Sequence, residues 1–193
     1  THLEVGGLTP SHGMIKIATE LIDLPIHVLI RPRSGNCTYS IMEFEIIKED
    51  IRFCKAVGCA GVVVGLLNPE NSINGNWLQS LLQESEGMEV TFHRAFDQVS
   101  DPIKALDYLI DLGIDRVLTS GQESNAMAGR SLLRQMVEYA DDKITIMPGG
   151  SIRSANIGSM LETGAMQYHS SALVGENQHS NMSEIKALRS KLS

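Results

Sequence analysis

Short apolar runs and longer segments of helical periodicity alternate along most of the chain. Residues 26–31 form a near-continuous apolar run with β-branched side chains, which is typical of a strand covered on both faces, and Pro32 closes it. Residues 40–58 place apolar side chains at helical spacing behind a capping box formed by Ser40 and Glu43, and Gly58 is a typical helix stop. The same alternation of strand and helix then repeats.

This pattern predicts six strands and seven helices. The strands are residues 26–31, 61–66, 89–94, 115–119, 144–147 and 166–169. The first helix has Thr9 as its N-cap and Pro10 in its first position, and it ends before Pro25. The other helices are residues 40–58, 77–83, 101–113, 125–139, 154–162 and 183–192. Asp101, followed by Pro102, is the predicted cap of the helix that runs to Gly113. Residues 173–181 are polar and are expected to form a loop.

Strands that alternate with helices, without hairpin signals, indicate a parallel sheet with right-handed crossovers. Consecutive strands start 22 to 35 residues apart, and eight such units would give about the 250 residues of a (β/α)8 barrel. We therefore expect residues 1–193 to form a single α/β domain, a TIM-type barrel with six visible βα units that lacks the first two. An open, doubly wound sheet of six strands is the alternative. Exposed sheet edges would favour partner chains.

Composition narrows the function classes. The chain has 16 Lys and Arg against 23 Asp and Glu, and this formal charge of −7 argues against a nucleic-acid surface or an anionic membrane as partner. It contains no apolar run of the length of a membrane span, about 20 residues, and no signal-peptide pattern, so we expect a cytoplasmic protein. Cys37, Cys54 and Cys59 form neither an even set nor a CxxC motif, which indicates reduced thiols.

The third predicted strand ends in charged and polar residues that a buried core does not require. The apolar residues 90–92 are followed directly by His93 and Arg94, and Asp97 lies four residues beyond the histidine. In both architectures the ligand site lies at the carboxyl ends of the strands. Side-chain alternation places His93 towards the interior of a barrel and leaves Arg94 at the rim.

Polar residues follow the other strands as well. By the same alternation, Arg31 and His169 should line one mouth together with His93. The residues at the predicted carboxyl ends are Arg31, Arg33, Asn68, His93, Arg94, Asp97, Thr119, Ser120, Gly121, Pro148, Gly149, Gly150, His169, Ser170 and Ser171. This concentration of polar groups predicts a site for a small molecule.

These residue types suggest acid–base chemistry on an anion. The candidate catalytic residues are His93 as general acid or base, Asp97 as the group that orients it, Arg94 and Arg31. The candidate anion-binding residues are Arg33, Ser120, Gly149, Gly150, His169 and Ser170, because guanidinium groups match carboxylate or phosphate and barrels bind phosphate after the penultimate strand. Each has a structural alternative: a core histidine, a surface arginine pair or a plain Gly-Gly turn.

A metal site is the other chemical possibility. Nine methionines and three cysteines supply soft sulfur donors suited to Cu(I). However, most of the methionines fall on apolar faces, and Cys54 and Cys59, on either side of the helix stop at Gly58, are expected to be small core residues. Cys37 alone lies in a loop at the predicted site face, so it is a weak candidate ligand.

The strings at the strand ends resemble those of the CutC family of copper homeostasis proteins. They are, in order, Gly6-Gly7-Leu8-Thr9-Pro10-Ser11, Ile30-Arg31-Pro32-Arg33, Thr91-Phe92-His93-Arg94-Ala95-Phe96-Asp97, Leu118-Thr119-Ser120-Gly121 and Ile146-Met147-Pro148-Gly149-Gly150. The resemblance runs from about Gly6 to Ala172. It implies a TIM barrel, a cytoplasmic location, a homodimer or homotetramer, and a role in copper handling with Cu(I) binding.

The chain also departs from the pattern of this family. Family members open with two further βα units, and the second ends in a Glu-Leu-Cys string whose cysteine is among the residues suspected of holding copper. Ser34, Asn36, Cys37 and Ser151 differ from the residues usual at their positions. The resemblance thus implies a Cu(I)-binding copper homeostasis protein. Two alternatives stand beside it: a barrel enzyme for a small anionic or phosphorylated metabolite, and an oligomeric scaffold without either activity.

Overall fold

Parallel strands with helical connections make up the backbone in a computed structural model, which describes residues 5–175 and 179–192. The chain divides into two compact units, with the boundary between Ala95 and Phe96. Each unit repeats the strand–helix pattern that the sequence predicts. The expectation of a single domain stays a prediction.

The first unit contains three parallel strands, β1 (His27–Leu29), β2 (Gly61–Val64) and β3 (Glu89–Phe92), with β2 in the middle. Helices α1 (His12–Leu21), α2 (Ile41–Ala56) and α3 (Gly75–Glu84) connect or precede them. In β3 the side chains of Val90, Thr91 and Phe92 are all buried, so both faces of the strand are covered. This explains the apolar character of these strands, which does not alternate along the sequence.

Helix α2 has both of its predicted end signals. Ser40 accepts a hydrogen bond from the backbone N–H of Glu43, and the Glu43 carboxylate accepts one from the backbone N–H of Ser40, which completes the capping box. At the other end Gly58 has a φ of +83° and donates to the carbonyl of Lys55, while Cys59 donates to the carbonyl of Cys54. These two bonds form a Schellman motif.

A 3-10 helix (Arg94–Gln98) contains the boundary, and the first α-helix of the second unit is α4 (Pro102–Asp111), which Asp101 caps as predicted. Strands β4 (Arg116–Thr119) and β5 (Thr145–Pro148) pair in parallel, and helices α5 (Arg130–Ala140), α6 (Ile157–Leu161) and α7 (Met182–Leu192) complete the unit. Its core contains fully buried leucines, isoleucines and methionines, including Leu106, Leu109, Leu133, Met136, Ile157 and Met160.

Three predicted helix starts are wrong, because side-chain hydrogen bonds engage the residues before each helix. Helix α1 begins at His12 with Ser11 as its N-cap, because Thr9 is bound to the end of β1 through its backbone and its Oγ1. Helix α5 begins at Arg130 rather than at residue 125, because Asn125 closes a local turn with its side chain.

Helix α6 is the third case and begins at Ile157 rather than at residue 154. Before it, the Asn156 side chain accepts from the backbone N–H of Arg153, and Ser154 binds Glu184.

The predicted sixth strand is also wrong in extent. Of residues 166–169, only His169 forms a β-bridge, to Gly149 of the chain after β5. Met166 is 89% exposed, and the Tyr168 hydroxyl donates to the Ala165 carbonyl within a turn. In the expected loop 173–181, residues 176–178 lie outside the part of the chain that the structure describes. No helix within the described residues is both long and apolar enough to span a membrane.

The Schellman motif gives a direct test of how α2 ends. A methyl group at Gly58 would meet no heavy atom within 4 Å, so Gly58→Ala carries only the cost of a left-handed backbone, about 1 to 2 kcal/mol of unfolding free energy. Gly13 lies inside α1 with equally open surroundings and serves as the control. Gly13→Ala should stabilise by up to about 1 kcal/mol. Urea unfolding measures the change in unfolding free energy for each variant. Equal changes at the two sites would contradict the Schellman motif assigned to the end of α2.

Candidate functional site

His93 is held in one orientation at the end of β3. The residue is 7% exposed, its backbone N–H donates to the Val64 carbonyl at 2.7 Å, and its Nδ1 accepts from the backbone N–H of Ala95 at 3.0 Å. Because Nδ1 is an acceptor, the neutral ring carries its proton on Nε2. A Cβ at Gly65 would lie 2.3 Å from the ring, so the glycine makes room for it. His93 can therefore act as an N–H donor, or transfer a proton, through Nε2.

The Arg31 guanidinium binds the loops of its own unit. Its Nη1 donates to the carbonyls of Val5 at 2.6 Å and Gly7 at 3.0 Å, and its Nη2 donates to the carbonyl of Gly35 at 2.9 Å. The backbone of Arg31 also exchanges hydrogen bonds with Thr9. Arg31 thus joins the segment before α1 to the loop after β1, and only part of its donor capacity is left for a ligand.

The Arg33 guanidinium forms even more hydrogen bonds within its own loop than Arg31 does. Its Nε donates to the Glu43 carboxylate, its Nη1 to the carbonyls of Ser34 and Asn36, and its Nη2 to the Asn36 side chain and the Thr38 carbonyl. These bonds use all five N–H groups of a guanidinium. That Arg33 binds an anion stays a prediction, and it would require some of these bonds to open.

Cys37 lies in this same loop and is only 4% exposed. Burial raises the pKa of its thiol, whereas Arg31, Arg33 and a hydrogen bond with Tyr39 act in the opposite direction. Burial also raises the pKa of the Tyr39 hydroxyl, and the Arg33 guanidinium lies 5.1 Å from the centre of the Tyr39 ring. The two guanidinium groups favour the thiolate, which is the form that binds a metal, whereas burial opposes it, so Cys37 stays a candidate ligand with a single thiol.

Asp97 organises the loop that follows β4. Its carboxylate accepts from the Thr119 hydroxyl, from the backbone N–H of Ser120 at 3.0 Å and its hydroxyl at 2.9 Å, and from the backbone N–H of Gln122 at 3.2 Å. Asp97 thus holds the loop after β4 in place through these bonds. Its expected role of orienting a ring nitrogen of His93 stays a prediction.

Backbone hydrogen bonds around Gly149 bring the strand ends of the second unit together. Its N–H donates to the Thr119 carbonyl at 2.9 Å, and His169 donates from its N–H to the Pro148 carbonyl at 2.9 Å. A Cβ at Gly149 would lie 2.3 Å from Leu118. The structure thus brings the segments of Ser120, Gly149–Gly150 and His169–Ser170 together, as the pattern predicts, but the Gly149 N–H is already engaged in the sheet.

The sequence interpretation missed Arg153, which lies three residues after Gly150. Its Nε donates to the Leu173 carbonyl at 2.8 Å and its Nη1 to the Ile152 carbonyl at 2.6 Å, and its guanidinium also reaches the hydroxyls of Ser170 and Ser171 at 3.4 and 3.3 Å. Ser170 in turn donates to the Ile152 carbonyl. An arginine soon after a Gly-Gly string at a strand end was the signal that could have identified it.

The remaining candidates differ in placement. Arg94 is exposed at the start of the 3-10 helix, and its expected place at the rim of a barrel stays a prediction. Arg31 and His93 belong to the first unit, whereas His169 belongs to the second. Across residues 5–175 and 179–192, no group of three or more His, Cys, Asp and Glu side chains is arranged to hold a metal ion.

Comparison with known proteins gives one consistent result. The sequence profile of the CutC family matches residues 1–174. The human protein named "Copper homeostasis protein cutC homolog" is 43% identical over 171 residues, which cover 88% of this chain and 63% of the human one. The chain therefore spans less than two thirds of the length of this relative.

Solved structures agree with the sequence comparison. The crystal structure of CutC from Streptococcus agalactiae superposes with a TM-score of 0.84 at 35% identity and covers 87% of this chain and 84% of that one. Deoxyribose phosphate aldolase from Aeropyrum pernix superposes with a TM-score of 0.64 at 15% identity, covering 94% and 74%, which shows the fold alone. The fold is of the TIM-barrel type, and the α/β prediction is confirmed.

Because the partly buried Asp97 carboxylate accepts several hydrogen bonds, its replacement should lower the stability of the protein strongly. In Asp97→Asn an amide NH2 replaces one acceptor oxygen and faces N–H and O–H donors. We expect a loss of roughly 2 to 3 kcal/mol in unfolding free energy, the typical value of hydrogen bonds to a charged group. Urea unfolding measures it, with Asp111→Asn at an exposed helix position as the control, expected to lie within about 0.5 kcal/mol. Equal losses in the two variants would contradict the stabilising role assigned to the hydrogen bonds of Asp97.

The Glu43 carboxylate predicts an acid-dependent loss of stability. The backbone N–H of Ser40, the Arg33 guanidinium and the Ser40 hydroxyl lower the pKa of Glu43 from 4.5 to about 2. Because the folded pKa is lowered, the stabilisation is present above pH 4.5 and is lost as the pH falls towards 2. The difference in unfolding free energy between wild type and Glu43→Gln should therefore shrink over this range. Glu86→Gln, at an exposed position, should show no such narrowing, and a constant difference for Glu43→Gln would refute the prediction.

Proposed function

The chain belongs to the CutC family, and from this membership we propose that it acts in copper homeostasis as a cytoplasmic protein that binds or transfers Cu(I). The observation that carries the proposal is the match of the family profile over residues 1–174, together with the name of the human relative. Because the chain spans only 63% of that relative, the activity of the whole protein is part of the proposal.

The sulfur chemistry of the chain supports this proposal. All three cysteines are free thiols, and all three are buried. Thiolate sulfur selects Cu(I) over harder cations, and Cu(I) does not require the four ligands that zinc takes in structural sites.

A homodimer or homotetramer forms part of the same proposal. Several apolar side chains on the outer faces of α1 and α2 are exposed, among them Met14, Ile17, Leu21, Ile41, Met42 and Ile46. A second copy of the chain would remove such surface from water.

The proposal predicts competition for Cu(I). Anaerobic titration of the protein with Cu(I) in the presence of a chromophoric chelator should show that the protein withdraws copper at micromolar concentration. Zn(II) under the same conditions should bind far more weakly, since no three-ligand group exists among the residues described. If the chelator keeps all of the Cu(I), copper binding is rejected.

A second function is favoured by one specific observation, the fixed ring of His93. A buried imidazole whose Nε2 carries the proton can serve as a general acid or base, and the loops of Gly150, His169, Ser170 and Arg153 lie at strand ends where barrels bind anions. We therefore keep an enzyme for a small anionic or phosphorylated metabolite as the alternative.

This alternative predicts that an anion stabilises the protein. In a thermal-shift screen of carboxylate and phosphate metabolites, the ligand that raises the Tm should be tested with Arg153→Lys and His93→Ala. Arg153→Lys should reduce the shift, whereas His93→Ala should retain binding and lower turnover by about 10²- to 10⁴-fold, the usual contribution of a general acid or base. A screen without any stabilising anion would reject the enzyme hypothesis.

A further inference from the structure

The end of α2 brings two cysteines together. In the Schellman motif the residue two positions beyond the helix contacts the residue three positions before its C-cap, and here these two positions are Cys59 and Cys54. The backbone N–H of Cys59 donates to the Cys54 carbonyl at 3.0 Å, and Gly58 supplies the positive φ that allows the chain to turn back. The geometry of this motif, rather than proximity in sequence alone, places the two side chains side by side.

The two thiols are buried and in direct contact. Cys54 is 0% exposed and Cys59 is 6% exposed, and the two side chains share a hydrogen bond. Burial, and then the neighbouring thiol, raise the pKa of Cys54 to about 12, and burial also raises the pKa of Cys59. The apolar site therefore keeps both groups protonated until a strongly thiophilic ligand displaces the protons.

We propose that Cys54 and Cys59 form a two-coordinate dithiolate site for Cu(I). The site deepens the proposed copper function and rests on it. When Cu(I) binds, the two S–H bonds lose their protons to solvent, two Cu–S bonds form, and the copper stays in its +1 state. The product is a buried S–Cu–S unit with a net charge of −1.

Geometry, and not the surrounding charge, favours this pair over Cys37. The Asp50 carboxylate acts on Cys54 and does not favour the charge of −1, but Cys54 and Cys59 offer two sulfur donors in contact, whereas Cys37 offers one. The coordination number also discriminates between metals. Two thiolates satisfy Cu(I), and zinc would need further ligands that the surrounding described residues do not assemble.

Three variants test the site by Cu(I) competition against a chelator under anaerobic conditions. Cys54→Ala keeps a good helix former at a buried helical position, and Cys59→Ser keeps a small side chain at the motif. Cys37→Ser removes the third thiol and is the matched control. We expect both pair variants to weaken Cu(I) binding more than about 100-fold, beyond what loss of an outer-shell partner costs, and Cys37→Ser to retain wild-type affinity.

The outcomes separate this inference from the proposed function. If the wild type binds no Cu(I), the copper function itself fails. If the wild type binds Cu(I) and the pair variants bind it equally well, or if only Cys37→Ser loses it, the function stands and the site is overturned. If the isolated protein holds a disulfide between Cys54 and Cys59, two of its thiols will fail to react with an alkylating agent after denaturation. This result would also overturn the site, because no dithiol would be present to bind Cu(I).

A spectroscopic measurement covers the case in which a pair variant fails to fold. Copper K-edge X-ray absorption of the wild type loaded with one equivalent of Cu(I) should show a two-coordinate ion with sulfur neighbours only. The spectrum should be unchanged in Cys37→Ser. Nitrogen or oxygen neighbours, or a change of coordination in Cys37→Ser, would contradict the assignment.

Discussion

The backbone at the carboxyl ends of the strands must have its hydrogen-bonding groups satisfied, and most of the polar residues there meet this requirement. A buried carbonyl or N–H without a partner costs about as much as a hydrogen bond contributes, so irregular loops close to a sheet need side-chain donors and acceptors. Arg31 and Arg33 supply donors to the carbonyls of the first unit, and Asp97 supplies acceptors to the N–H groups after β4. These charged groups hold the loops in place.

This constraint separates two kinds of polar residue that look alike in the sequence. The Arg33 guanidinium has all five N–H groups engaged within its loop and would have to break some of these bonds to hold a ligand. His93 uses only Nδ1 for the backbone, so its Nε2 remains for chemistry. The cysteines divide in the same way. Cys37 lies beside two guanidinium groups and has no second thiol, whereas Cys54 is in contact with Cys59, so only this pair of thiols offers two sulfur donors to one metal ion.

The hydrophobic pattern predicted most of the fold because strands covered on both faces and amphipathic helices have distinct periods. The capping box at Ser40, the Asp101 cap and five strands follow from local chemistry and are confirmed. The start of α1 and the extent of the sixth strand depend on partners far along the chain, such as the bond between Thr9 and Arg31, which no local window contains. The positions of the polar residues at strand ends were likewise predictable, but their roles were not, because roles depend on how each loop closes.

His93 has a structural role and a proposed chemical role. One ring nitrogen, Nδ1, accepts a hydrogen bond from the backbone, and this bond fixes the proton of the neutral ring on the other nitrogen, Nε2. Nitrogen-15 NMR of histidine-labelled protein at neutral pH tests this most directly. The fixed orientation predicts a protonated Nε2 and an unprotonated Nδ1 for His93, with the assignment confirmed by loss of the signals in His93→Ala. A proton on Nδ1 in the neutral ring would contradict the hydrogen bond from Ala95 and, with it, the proposed division of roles at the strand ends.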